Sequence, residues 1–149
     1  MSHISQQETL ERFFKSYEEG FNRALTDNAP DITASAAAFA DCFVAASPAG
    51  VQCGKNDAQF LAAIPQGYEF YRSIGITSMN IVSLKTTFID SLHAMVTVTW
   101  RSDYINRSGV EGSIIFDVTY ILQMIGGSFR IFAWITGDEQ AELKAHGLV

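Results

Sequence analysis

Ala94-Met95-Val96-Thr97-Val98-Thr99-Trp100-Arg101 is the stretch whose reading decides the fold. Ala94, Val96, Val98 and Trp100 alternate with Met95, Thr97, Thr99 and Arg101, the period of two that marks a strand with one apolar face. The pattern continues on both sides. Four strands are predicted, at about 76–89, 92–105, 111–124 and 128–137, broken by Asp90-Ser91, Asn106-Arg107-Ser108-Gly109 and Gly126-Gly127. Two central glycines suit a two-residue hairpin turn, which needs positive φ at both positions.

With that turn as pivot, Ile125 pairs with Ser128, and the pairing propagates to Leu122–Ile131, Tyr120–Ala133 and Val118–Ile135. Residues opposite one another share a face, so these side chains, joined by Val96, Val98 and Trp100, are expected under the helices. The other face carries Asp117, Thr119, Ile121, Gln123, Arg130, Phe132 and Trp134 beside Thr97, Thr99 and Arg101. Ile121, Phe132 and Trp134 together make an apolar patch of the kind that marks a contact, and a homodimer through this outer face is the expected partner arrangement. An Arg101–Asp117 pair is expected there as a structural feature.

Ahead of the strands the period changes to that of a helix. Leu10, Phe14, Tyr17, Phe21 and Leu25 recur at three- and four-residue steps over 5–25. Ser5 and Glu8 have the spacing of a capping box. Thr26-Asp27-Asn28-Ala29-Pro30 is a breaker, and an Ala-rich helix is predicted at 31–42. Phe43–Ala46 reads as a short strand, Ser47-Pro48-Ala49-Gly50 as a turn and Val51-Gln52-Cys53 as its return. A third helix at 57–73 presents Phe60 or Leu61, Ile64, Tyr68 and Tyr71, with Pro65 expected to kink or divide it. A short helix is expected from Asp138. Helices followed by consecutive antiparallel strands give an α+β class rather than the alternation of a parallel sheet.

The 149 residues suit one domain spanning 1–149. With 48% hydrophobic and 17% charged residues the chain reads as folded. The net charge of −6 and the lack of a basic stripe argue against nucleic acid and anionic membrane surfaces. Cys42 and Cys53 have neither CxxC spacing nor a His at ligand distance, so no metal is expected. The polar start lacks the basic and apolar regions of a signal peptide, which points to a cytoplasmic protein.

The leading amphipathic helix, Phe39-Ala40-Asp41, the hairpin return Gly50-Val51-Gln52-Cys53-Gly54-Lys55 into a helix, and the strand run ending Phe132-Ala133-Trp134 occur in an order that resembles the NTF2-like superfamily, of the SnoaL and ketosteroid-isomerase type. The resemblance covers nearly the whole chain. It implies N-terminal helices packed on a strongly bent, mostly antiparallel sheet, a cone with an apolar internal pocket, often dimeric. It does not imply one function, since such folds host enzymes and accessory subunits alike.

Ketosteroid isomerase chemistry needs a carboxylate base, with a Tyr and a protonated Asp as oxyanion donors. The base position falls on Ser47, before Pro48. The acidic oxyanion position falls near Val118 or Thr119. Only Tyr17 has a loose match, on the first helix. His93 beside Asp90 is either a dyad or a turn residue, and the turn reading is preferred. His3 and His146 lie near the termini. No catalytic residue or cofactor is assigned.

Tyr17, Tyr68, Tyr71, Trp100 and Tyr120 all fall on inward-leaning faces. Any one ring can simply fill the core. As a set, with polar tips that need partners, they are the expected binding residues for a small, mostly apolar or weakly polar molecule. The alternatives are a SnoaL-like isomerase, cyclase or dehydratase using Tyr and Ser/Thr hydroxyls, and a non-catalytic dimeric accessory or interaction module.

Overall fold

A computed structural model describes residues 3–26 and 30–149, with side chains from Gln6 onward. The expected breaker at 27–29 and the Ser5 side chain of the capping box lie outside the described residues. Four helices and six strands follow in the order α1 (His3–Thr26), α2 (Ile32–Ala37), β1 (Phe39–Ser47), β2 (Gly50–Lys55), α3 (Ala58–Ser73), β3 (Ile76–Phe88), β4 (His93–Ile105), β5 (Glu111–Ile125), β6 (Ser128–Ile135) and α4 (Glu139–Ala145). The strands form one curled, unclosed sheet in the order β2-β1-β6-β5-β4-β3. Every seam is antiparallel except β1–β6, which is parallel. No helix among the described residues is long and apolar enough to cross a membrane.

The apolar stripe of α1 seats Leu10 and Phe14, both fully buried, against Val96, Val98, Trp100, Val118, Tyr120, Leu122 and Ile131. Burying each such side chain contributes about 1.5–3 kcal/mol. The same helix covers the free edge of β3. The Asn22 side chain donates Nδ2–H to the Met79 carbonyl (2.7 Å) and accepts the Met79 amide on Oδ1 (2.7 Å), and Glu18 accepts the Ile81 amide (2.5 Å). Edge amides that would otherwise invite another strand are thereby occupied. A second cluster, Leu25, Ile74, Ile76, Tyr104, Ile114, Leu143 and Leu148, fills the opposite end under α4.

The Gly126-Gly127 turn forms as expected, with φ of 56° and 84°, and the Ile125–Ser128 and Leu122–Ile131 pairs follow from it. Beyond them the expected register fails. Ile121 pairs with Ala133, Tyr120 with Trp134 and Thr119 with Ile135. Phe132 is therefore an extra residue in β6, a β-bulge. Since side chains alternate, one inserted residue exchanges the faces of everything after it. Ile135, expected inside, is 52% exposed. Trp134, expected on the outer face, turns inward onto Phe39 and Phe43 (ring centroids 5.3 Å from each). Phe132 itself stays outside, edge-on to His93, and Ile121 stays outside opposite Met95.

Three smaller expectations also change. The second helix stops at Ala37, and Phe39–Ser47 is strand: pairing with β6 outweighs the helix preference of its alanines. Pro65 does not divide α3, which runs unbroken from its Asp57 cap, where the carboxylate accepts the Phe60 amide (3.0 Å); the proline removes only one amide donor from the ladder. Arg101 pairs with Asp103 (2.9 Å), not Asp117, which accepts the Thr99 hydroxyl instead (2.7 Å).

Candidate functional site

Between the two apolar clusters lies a pocket of about 300 Å3. Its walls draw on both: Trp100, Val118 and Tyr120 from the first, Ile76, Ile114 and Leu143 from the second. Met79 and Phe116 pack against both clusters and bridge them along the pocket wall. The helices add Tyr17, Phe21 and Tyr71, and the parallel seam adds Phe39 and Trp134.

The deep end is built on three polar rings. Trp100 donates its indole N–H to the Tyr120 hydroxyl at 3.2 Å, with Trp100 1% and Tyr120 6% exposed. Tyr17 lies beside both, its ring 6.2 Å from each. Burial pushes the Tyr17 and Tyr120 phenols well above their ordinary range, and the neighbouring Tyr120 adds to the rise at Tyr17. Both therefore stay protonated at neutral pH, as hydrogen-bond donors and not bases. The indole uses only acceptor capacity of Tyr120. The two phenols bond one another, and one of their two protons finds no acceptor among the described residues.

At the other end β4 contributes Ser102, 4% exposed, opposite Ile114. Its side chain lines the pocket and makes no hydrogen bond to another described residue. Ser102 follows Trp100 by two residues on the same face, about 7 Å along the strand. The rim is α4, with Asp138, Glu139 and Glu142. Asp138 caps that helix, accepting the Ala141 amide (3.0 Å). Tyr71 of α3 donates to Glu139 at 2.5 Å and so ties two helices across the mouth. Burial, then the Glu139 carboxylate, raises the Tyr71 phenol.

Four of the five rings singled out in the sequence, Tyr17, Tyr71, Trp100 and Tyr120, line this pocket. Tyr68 does not. Its hydroxyl meets Ser35 of α2 (3.2 Å) in a neighbouring groove between α1, α2 and α3. The pocket also takes in residues that the sequence reading passed over. Trp134 was hidden by the bulge. Ser102 was visible in principle, since it continues the inward phase of Ala94, Val96, Val98 and Trp100. Glu139 and Glu142 carried no signal beyond a helix start.

His93 is a turn residue on the outer face. Asp90 accepts the Leu92 and His93 amides (2.9 and 2.8 Å) and contacts His93 Nδ1 (2.7 Å), while Gln123 Nε2 lies 3.0 Å from His93 Nε2. Nδ1 is thus engaged with the β3–β4 connection and Nε2 with Gln123 of β5, and the Leu92 amide first, then His93, hold the Asp90 carboxyl below its usual range. Ser47 accepts the Ala49 amide in the β1–β2 turn (3.2 Å), and Val118 is an apolar wall residue. Neither supplies an acid or a base. Among the described residues no three His, Cys, Asp or Glu side chains gather as a metal site requires.

The curled α+β sheet with helices on one side and an aromatic pocket between them defines an NTF2-like protein. The family profile described as NTF2-like protein (DUF6841) matches residues 7–139, and the chain belongs to that family. Solved structures agree on the fold. An NTF2-like protein of unknown function from Shewanella oneidensis MR-1 is 18% identical, with a TM-score of 0.66 over 89% of this chain and 99% of that one. A ketosteroid isomerase-like protein from Erwinia carotovora atroseptica is 21% identical, with a TM-score of 0.62 over 87% and 93%. An NTF2-like protein with a cystatin-like fold from Novosphingobium aromaticivorans is 13% identical, with a TM-score of 0.68 over 98% and 90%. A comparison with curated proteins finds no match.

Proposed function

We propose that the chain binds a small, mostly apolar molecule in the pocket between the two clusters. The observation that carries this reading is the deep end: a phenolic proton of the Tyr17–Tyr120 pair finds no acceptor among the described residues, inside an aromatic wall. A ligand oxygen in reach of the two hydroxyls accepts it, a net gain of about 0.5–1.5 kcal/mol. The volume lies at the small end of the ligand-pocket range, roughly 300–1,000 Å3. Titration with phenethyl alcohol tests it, because Trp100 and Trp134 both line the pocket and report on its filling. Saturable change in tryptophan emission, weakened in Tyr120→Phe, is expected; emission indifferent to the alcohol contradicts the reading.

Binding is favoured over isomerase, cyclase or dehydratase chemistry, although one similar structure is described as ketosteroid isomerase-like. The donors at the deep end suit an oxyanion. However, the lining carboxylates all belong to the segment Asp138–Glu142 at the rim, and no base stands beside those donors.

The outer sheet face supports a homodimer. Val44 and Met95 are exposed in the row of Ile121, Ile115 and Ile135 are exposed farther along the same face, and Phe132 stands beside that row. Exposed apolar side chains gathered on one sheet face are the kind of surface that marks a contact. The interface residues are Ile121 and Phe132, without Trp134. Exposed, unpaired Cys42 and Cys53 suit the reduced cytoplasm.

A further inference from the structure

The pocket has a chemical polarity that its apolar walls conceal. No Lys, Arg or His lines it, while its rim carries the carboxylates of Asp138, Glu139 and Glu142. An anionic ligand would find no cation and three like charges. The unpartnered hydroxyl of Ser102 lies on this side of the pocket, since its neighbour Ile114 packs with Leu143 of α4 in the second cluster. The Ser102 side chain, on a residue 4% exposed, has no hydrogen-bond partner among the described residues and lines the cavity wall, so its hydroxyl is placed to meet a polar atom of a ligand. The surrounding rings add to this. Tyr17, Tyr71, Trp100 and Trp134 line the same pocket, and aromatic rings attract organic cations.

We propose that the pocket takes an organic cation, an amine whose ammonium sits between Ser102 and the α4 carboxylates, with a hydrocarbon body among the aromatic rings and an oxygen at its far end for the Tyr17–Tyr120 donor. An ammonium has three donors and no acceptor. Ser102 Oγ and a carboxylate of Glu139 or Glu142 accept from it. Of the two, Glu139 already accepts from Tyr71 on Oε1, which leaves its second oxygen. Glu142 Oε2 stands 3.7 Å from His146 Nε2 and is otherwise open to the pocket. Carboxylates and phosphates are rejected by the same groups. This inference rests on the ligand-binding reading and deepens it.

The experiment compares three probes of one shape: phenethylamine, phenethyl alcohol and phenylacetate, titrated by calorimetry into the wild type, the double variant E139Q/E142Q, and S102A. Each glutamine keeps shape and acceptor oxygen, so the Tyr71 bond survives while the charge goes. In the wild type the amine should bind at least about tenfold tighter than the alcohol, and phenylacetate weakest. In E139Q/E142Q the amine should lose its advantage over the alcohol, and the far-ultraviolet circular dichroism of the variant is the check on folding. S102A should weaken the amine more than phenylacetate. Phenylacetate binding as well as the amine, or an amine preference that survives E139Q/E142Q, overturns the inference. Equal binding of alcohol and amine also overturns it and leaves the pocket reading standing, whereas no binding by any probe removes both.

Discussion

The rings of Trp134 and Phe39 meet edge-on, centroids 5.3 Å apart, across the parallel seam of the sheet. That contact exists because β6 gains a residue at Phe132. Without the bulge Trp134 would stand on the outer face, and the pocket would lose the wall between it and the groove beneath α3. Gly54 completes the arrangement from the other side: a Cβ there would lie 2.4 Å from the Phe43 ring, so glycine leaves that ring its place beside Trp134, tilted 37° to the indole.

Replacing Tyr120 by Phe removes the acceptor for the Trp100 indole in a fully buried place. The orphaned N–H should cost about 1–3 kcal/mol. Urea unfolding of the two proteins checks it; midpoints that coincide would mean the bond is replaced by another partner.

Placing an arginine at Ile121 should turn a dimer into a monomer on size-exclusion chromatography, because Ile121 sits in the outer row between Met95 and Ala133. An unchanged elution volume removes the outer face as the interface. So does a wild type that already elutes as a monomer.

Alkaline pH should unfold the protein from within. The phenols of Tyr17, Tyr71 and Tyr120 are all raised, by burial first. The folded state thus holds protons that the unfolded chain releases near pH ~10. Stability is intact below that value and falls as pH climbs above it. Phenolate absorbance and circular dichroism recorded together give the check. The signal of these three rings should appear with the loss of native dichroism, and Tyr120→Phe should make the loss less steep. All five tyrosines ionising smoothly with the dichroism unchanged would contradict it.

The strand ladder was legible because Ala94–Arg101 alternates cleanly and Gly126-Gly127 tolerates the positive φ of a two-residue hairpin turn; both survive intact. The bulge was not legible. Ile131-Phe132-Ala133-Trp134-Ile135 is apolar at every position, so a period of two has no phase there to read, and the choice is made by β1 packing alongside. The same tertiary pairing turned Phe39–Cys42 from helix into strand. Of the pocket, the helix and strand rings were readable from periodicity. The acidic rim was not, since only the docking of α4 brings Glu139 to Tyr71, 68 residues away in sequence.

The most direct measurement is a nuclear magnetic resonance titration with phenethyl alcohol, watching the indole N–H signals of Trp100 and Trp134. Both line the pocket though they sit on different strands. Both should shift together and saturate at one concentration, while the outer-face side-chain methyl signals of Met95, Ile115 and Ile135 stay still. Indole signals that do not move, or movement confined to the outer face, would contradict an inward Trp134 and a ligand between the two clusters.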